Sequence, residues 1–510
     1  MKRLFRFAAR WSWDALVFFL PVTSLPLLSK VMGGTDVAPL SAAFLAILVL
    51  IWLIPHIIHS RGVPTHSIPL IVFVLLAIVS SLLAFFLPVP SFKSEGLWKN
   101  ELTNFISLGI GVCFFLVASL WISDEEKLAR FFRIVNISGA LALLYSLIQV
   151  VFIFILKQTP PALANFQDMI SSSRTLFVGR INGLTFEPSW LAHQLNMFYI
   201  PIWLGLSVKK ISFHKFRLAR VSLENILLAV SLGVLFLSKS RIGWLAFLAY
   251  SAYLILRLMD HFRNSISLKI TQKAGKNRSA RIWGTLFNIG FWFVLILVLQ
   301  GILILAGWVL TKVDPRMVQL FDLKAISELG LLGWSSRLVF AERIVYWIAG
   351  FQVFVQYPLF GVGLGNSGYF IPQTIGAFGY SLTEILRIFV SNAFLPNPKN
   401  LWVRILAETG IAGFSVFVSW LWVEWKTARS NEKMRSPLAQ AVGLMGQIVV
   451  IGLIVEGFSL DTFALPYYWM TLGLVVAVFR FYSLKVPAEV GNHEQADSLG
   501  ETNHAPQGSI

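Results

Sequence analysis

Four stretches of the sequence place cations and polar groups where apolar runs begin or end, a setting in which ionisable residues are costly and need partners. The first, RINGLTFEPSWLA (180–192), carries Arg180, Glu187 and Ser189 just ahead of an apolar run. A carboxylate there can orient or deprotonate a hydroxyl; its plainer role is to cap the next helix near its positive end. The second, SKSRIGW (238–244), holds Lys239 and Arg241 in a turn with almost no loop to carry them. One such cation is an ordinary snorkelling residue; two on the side that normally lacks positive charge favour an anionic partner. The third, ERIVYWIAGFQVFVQYPLFGVGLGN (342–366), follows Phe340, which at helical spacing shares a face with Arg343, Trp347 and Phe354. Its glycine run, Gly361, Gly363 and Gly365 with Asn366 at the end, lacks the strand–turn–helix context of a dinucleotide fingerprint. It reads better as flexible or tightly turned backbone near a ligand. The fourth, NPKNLWVRILAETGIAGF (397–414), places Lys399 and Asn400 at a helix mouth. Arg404 and Glu408, four residues apart inside that helix, read as a structural pair.

Arg180, Arg241, Arg343 and Lys399 facing one vestibule suit a diphosphate, because arginine forks match phosphate oxygens. No His-rich or paired-carboxylate cluster suggests a metal site, no Ser/His/Asp set is apparent, and no cofactor is expected. The single cysteine, Cys113, lies in an apolar run and excludes an internal disulfide or a cysteine-built metal site.

The elements that must position these residues are membrane helices. Of 510 residues, 56% are hydrophobic and only 13% charged, against about 25% charged in a soluble domain. Apolar runs near twenty residues long predict an all-α polytopic membrane protein. Spans are expected at about 14–32, 37–58, 68–89, 102–122, 134–156, 189–208, 222–238, 242–259, 283–311, 401–423, 437–457 and 463–482. The overlong 283–311 run is expected to tilt or to kink at Gly301 or Gly307. The net charge of +17 would suggest nucleic acid in a soluble protein. Here the basic residues concentrate in alternate short loops such as KKISFHKFRLAR (209–220), so they set topology and a nucleic-acid partner is not expected. The basic start MKRLFRFAARW reads as a retained first helix with its end inside, and about twelve helices then leave both termini inside. This divides the chain into helices one to nine (1–311), a large, partly helical outside loop (312–400), helices ten to twelve (401–484) and a polar cytoplasmic tail (485–510) expected to be disordered. Within the loop, residues 337–356 predict an amphipathic helix at the membrane interface. All four motifs then lie on the outer side.

In order and spacing these motifs resemble the O-antigen ligase/polymerase superfamily of bacterial membrane glycosyltransferases. The resemblance is carried by Ser240, Arg241 and Trp244, by Arg343 and Trp347 followed by PLFGVGLGN from Pro358, and by Asn400 with Gly410 and Gly413. It implies metal-independent, inverting transfer from a polyprenyl-diphosphate-linked oligosaccharide to a glycan or a lipid A core sugar. It also implies a bacterial inner-membrane location, with the active site on the periplasmic or external side, and other polysaccharide-assembly proteins as further partners. Arg241 and Arg343 match the family arginines thought to hold the diphosphate. One position departs: ligases carry His just before the Asn of the last element, where this chain has Lys399. A lysine is normally charged and makes a poor base, so Lys399 is expected to act as a cation on the diphosphate and Glu187 to orient or deprotonate the acceptor. The departure tilts the reading from ligase towards polymerase. A lipid-linked oligosaccharide flippase or transporter would also use many helices and cationic sites, but more often shows internal repeats, and none is seen. A non-catalytic assembly scaffold also remains open.

Overall fold

The structure, a computed structural model, describes residues 2–31, 36–60, 62–93, 95–274, 278–314, 318–319, 322–338, 340–390 and 394–483. The expected tail (485–510) lies outside them. The chain is all-α, apart from a two-residue hairpin pairing Arg217–Leu218 with Val221–Ser222. Eight helices among the described residues are long and apolar enough to cross a bilayer: Leu40–His59, Thr65–Ala84, Leu97–Trp121, Glu125–Ile155, Arg241–Asn264, Thr285–Lys312, Leu401–Glu432 and Pro437–Glu456. The other four expected spans correspond to shorter or interrupted helices: Lys2–Phe18, 188–208, Leu223–Leu237 and Tyr467–Ser483.

The first span needs correction. Expected at 14–32, the helix instead runs Lys2–Phe18 and stops before Pro21, and a separate short helix Pro26–Val31 follows. Proline lacks the N–H that would continue the ladder, and its ring crowds the preceding turn. Elsewhere proline is absorbed rather than obeyed. The π-helical segments Val49–Leu53 and Leu195–Tyr199 end two residues before Pro55 and Pro201, where widened turns accommodate the missing donor. The helix expected at 283–311 runs unbroken over Arg278–Val313, with no kink at Gly301 or Gly307. At about 1.5 Å per residue it is longer than the roughly 30 Å apolar layer.

Helix starts follow ordinary capping chemistry. Asp124 accepts the Lys127 N–H at 2.9 Å, with Glu125 and Glu126 in the first turn, and Ser436 precedes Pro437 at the head of its helix. Tyr467–Ser483 is the centre of the bundle: its residues from Tyr467 to Val478 are all buried. Close approach there depends on small residues. A Cβ on Gly473 would meet the Phe115 carbonyl at 2.5 Å, and one on Gly111 would meet Trp469 at 2.3 Å.

The described residues of the 312–400 segment are folded. The segment's amphipathic helix spans Ala341–Gln356, burying Val345, Tyr346, Ala349 and Val353 and leaving Ile348, Phe351 and Val355 exposed. With Tyr369, Phe370, Ile385 and Ile388 it builds a small core of its own, closed by Phe92.

The glycine run is joined to the late helix Leu401–Glu432, which breaks at Gly410 (φ 65°). The Val362 and Gly363 N–H groups donate to the Ala407 and Glu408 carbonyls at 3.0 and 2.9 Å. In return Ile411 and Ala412 donate to the Pro358 and Leu359 carbonyls at 2.8 and 3.2 Å. Both sides need glycine. Gly361, Gly363 and Gly365 have φ of 67°, 92° and 83°, and a Cβ on Gly410 would lie 2.2 Å from the Leu359 oxygen.

Candidate functional site

Three of the four predicted cations meet in one cavity of about 680 Å³, lined by Arg180, Arg241 and Arg343 together with Lys239 and Ser189. Each arginine arrives on a different element. Arg180 ends the turn before the 188–208 helix, which is fixed from beneath: the Gln149 carboxamide oxygen accepts the Asn182 and Gly183 N–H groups, and the Thr185 hydroxyl donates to the Asn182 carbonyl. Its Nε donates to the Ser238 carbonyl at 3.2 Å, tying the first motif to the second. Arg241 opens the next long helix and donates through Nη1 to the Leu338 carbonyl at 2.7 Å. Arg343 sits in the first turn of Ala341–Gln356 and donates through Nη1 to the Ser459 hydroxyl at 3.1 Å.

The remaining walls are apolar, including Leu245, Leu248, Leu310, Phe340 and Trp347. The Trp347 ring packs edge-on against Phe340 at 5.3 Å and at a tilt of 55° against Phe458 at 5.7 Å. Cations held in such surroundings interact with an anion more strongly than they would in water. A second, wholly apolar groove lies between Leu401–Glu432 and Pro437–Glu456, lined by Trp402, Phe414, Trp422 and Ile454. Phe458 lines both the groove and the cavity.

Glu187 stands at the cavity edge. It occupies the N-cap position of the 188–208 helix but makes no side-chain capping bond. Instead its Oε1 accepts from the hydroxyl of Ser189, a lining residue. The carboxylate thus stands at the positive end of the helix, as its capping reading expects, while its side-chain bond goes to Ser189 rather than to a main-chain N–H. Asp36 lies near both Glu187 and Asp461. Burial, followed by the Glu187 and Asp461 charges, raises the Asp36 carboxyl above the usual carboxylate range. Among the described residues, no three His, Cys, Asp or Glu side chains converge to hold a metal ion.

Other predicted residues lie elsewhere. Lys399 does not line the cavity: its ammonium pairs with Glu384 and sits 4.8 Å from the Tyr346 ring centre. Asn400 caps the late helix, accepting the Trp402 and Val403 N–H groups at 2.9 and 3.1 Å. Asn366 is buried and donates to Glu101 at 2.6 Å, while Asn100 reaches the Gly365 carbonyl at 2.9 Å. The glycine run, Asn366 and Asn400 thus shape the 312–400 segment and its joint with the helix rather than the cavity wall. Arg404 and Glu408 form the expected pair, 3.1 Å apart and buried, with Ser367 donating to Glu408 at 2.9 Å.

Reading the sequence missed Ser459, the partner of Arg343, and a buried polar group beneath the cavity made by His193, Asn196, Tyr250 and Glu456. Ionisable residues at 193 and 456, inside otherwise apolar runs, were the available signal.

Residues 226–418 match the family model described as O-antigen ligase. No curated protein matches the chain. The matched segment holds Arg241, Arg343, the glycine run and the Gly410 break, while Arg180, Glu187 and Ser459 lie outside it. That match, within a frame of many apolar helices, makes residues 226–418 of this multi-pass membrane protein similar to the O-antigen ligase family and supports the O-antigen ligase/polymerase reading.

Proposed function

We propose that the cavity binds the diphosphate of a polyprenyl-linked oligosaccharide and that the protein transfers the glycan to a sugar hydroxyl during surface polysaccharide assembly. The observation that carries this reading is the convergence of Arg180, Arg241 and Arg343 on one largely apolar chamber. The guanidinium groups neutralise the diphosphate as it leaves with the electrons of its bond to the anomeric carbon. The acceptor oxygen forms the new glycosidic bond from the opposite face, inverting the centre, and its proton passes to Glu187. The arginine charges do here what a metal ion does in other diphosphate chemistry. The apolar groove beyond Phe458 gives the polyprenyl chain a route out of the cavity along the bundle surface.

We favour a polymerase over a ligase because Lys399 stands where ligases of this superfamily carry histidine. Lys399, engaged with Glu384, receives no place at the diphosphate in this arrangement. The inner membrane is the proposed location, with the cavity on the periplasmic or external face, and the divisions at about 311, 400 and 484 remain our proposed boundaries.

Reconstitution with a lipid-linked repeat unit, with and without a lipid A core acceptor, is the test. Longer chains on the lipid mark a polymerase and transfer to the core marks a ligase. Recovery of unmodified donor under both conditions rejects the enzyme.

A further inference from the structure

We propose that Glu456 is a positioning residue that sets the relative placement of Arg241 and Arg343; the inference rests on the reading of those arginines as diphosphate ligands. Glu456 is the last residue of its helix and is fully buried. Its Oε1 accepts from Asn196 Nδ2 at 2.6 Å, and its Oε2 meets His193 Nδ1. The same Asn196 nitrogen donates to the Gly243 carbonyl at 2.9 Å, and the Tyr250 hydroxyl donates to Asn196 Oδ1 at 3.0 Å. Gly243 is two residues past Arg241, in the first turn of the helix that Arg241 opens. The Glu456 side chain therefore fixes one arginine-bearing turn.

Its main chain fixes the other. The Glu456 carbonyl accepts the N–H groups of Ser459 and Leu460 at 2.8 and 2.9 Å, folding the turn that presents the Ser459 hydroxyl to Arg343. One residue thus joins two segments far apart in sequence, each ending at a cation in the cavity. A carboxylate deep in an apolar bundle is costly unless fully partnered. Its hydrogen-bond partner Asn196 belongs to the scaffold of the site.

Loss of the side-chain anchor lets the Arg241 turn shift against Arg343, which weakens the grip on the diphosphate more than it disturbs the rest of the chain. The experiment measures donor KM and kcat per folded protein in detergent or nanodiscs, with direct binding of inorganic pyrophosphate. The variants are Glu456→Ala, Glu456→Gln and Asn196→Ala; Glu424→Gln, also buried but on another helix, is the control. Removing a buried charge-assisted hydrogen bond predicts a rise of about tenfold or more in KM for Glu456→Ala. Glu456→Gln, which still accepts from Asn196, restores most of it, and Glu424→Gln leaves KM unchanged. Asn196→Ala cuts the link to Gly243 without touching the Glu456 carboxylate, so it serves if Glu456→Ala does not fold. Unchanged KM and pyrophosphate binding in either variant overturns the inference. If Arg241→Ala and Arg343→Ala also leave both unchanged, the diphosphate reading itself has failed; if they lose binding, only the role of Glu456 has.

Discussion

Replacing Arg241 by alanine is expected to lower turnover by about two to three orders of magnitude while leaving the protein in the membrane. The size follows from the setting. A preorganised donor aimed at charge that develops in the transition state is worth about 10²–10³ in rate. Under the proposed function Arg241 is such a donor, standing among apolar walls and oriented by the Leu338 carbonyl at 2.7 Å. Losing that orienting bond adds about 1 kcal/mol of local destabilisation, too little to unfold a bundle of this size. Arg241→Lys separates charge from geometry: it keeps the cation but loses the planar fork. An intermediate loss, about tenfold to a hundredfold, is expected. The assay is chain extension of a purified lipid-linked repeat unit, with size-exclusion behaviour confirming the fold. Wild-type turnover in Arg241→Ala would refute the reasoning, because a cation not needed by the reaction has no part in holding its leaving group.

Glu187→Gln should reduce kcat by about 10²–10⁴ with little change in donor KM if the carboxylate takes the acceptor proton; an unchanged single-turnover rate removes that role. Lys399→Ala should cost far less turnover than Arg241→Ala, because its ammonium is engaged with Glu384 outside the cavity; an equal loss would return Lys399 to the diphosphate. Gly410→Ala, which in a regular helix would stabilise by about 1 kcal/mol, should instead lower thermal stability. Its φ of 65° and the Leu359 oxygen 2.2 Å from the new Cβ both oppose it. A melting temperature at or above that of the wild type would contradict the described joint.

The helices were legible because hydropathy over about twenty residues reports lipid directly. The misplaced first span shows what that signal cannot see: residues 14–32 are apolar enough, but Pro21 ends the helix at Phe18. The arginines were legible for a related reason, since each stands at or beside the edge of an apolar stretch, where a cation is expensive. Lys399 satisfied the same criterion and still lies elsewhere, because its partner Glu384 belongs to a loop whose path no local pattern specifies. Ser459 and Asn196 carry no such signal. Their roles come from contacts with Arg343 and Glu456, residues 116 and 260 positions away in the chain, and only tertiary packing brings these together.

The joint between the glycine run and the broken helix also limits how the segments it ties together can move. Four main-chain bonds cross it, pairing Val362 and Gly363 with one side of the Gly410 break, and Pro358 and Leu359 with the other. Pulling the two segments apart would strand these groups beside an apolar bundle, where each unpaired one costs several kcal/mol. The segment that carries the glycine run is thus stitched to the body like a seam and does not behave as a hinged cover. Under the proposed function, traffic to the arginines runs past that seam, sideways along the groove that meets the cavity at Phe458 for the lipid, and over the Ser189–Glu187 edge for the acceptor.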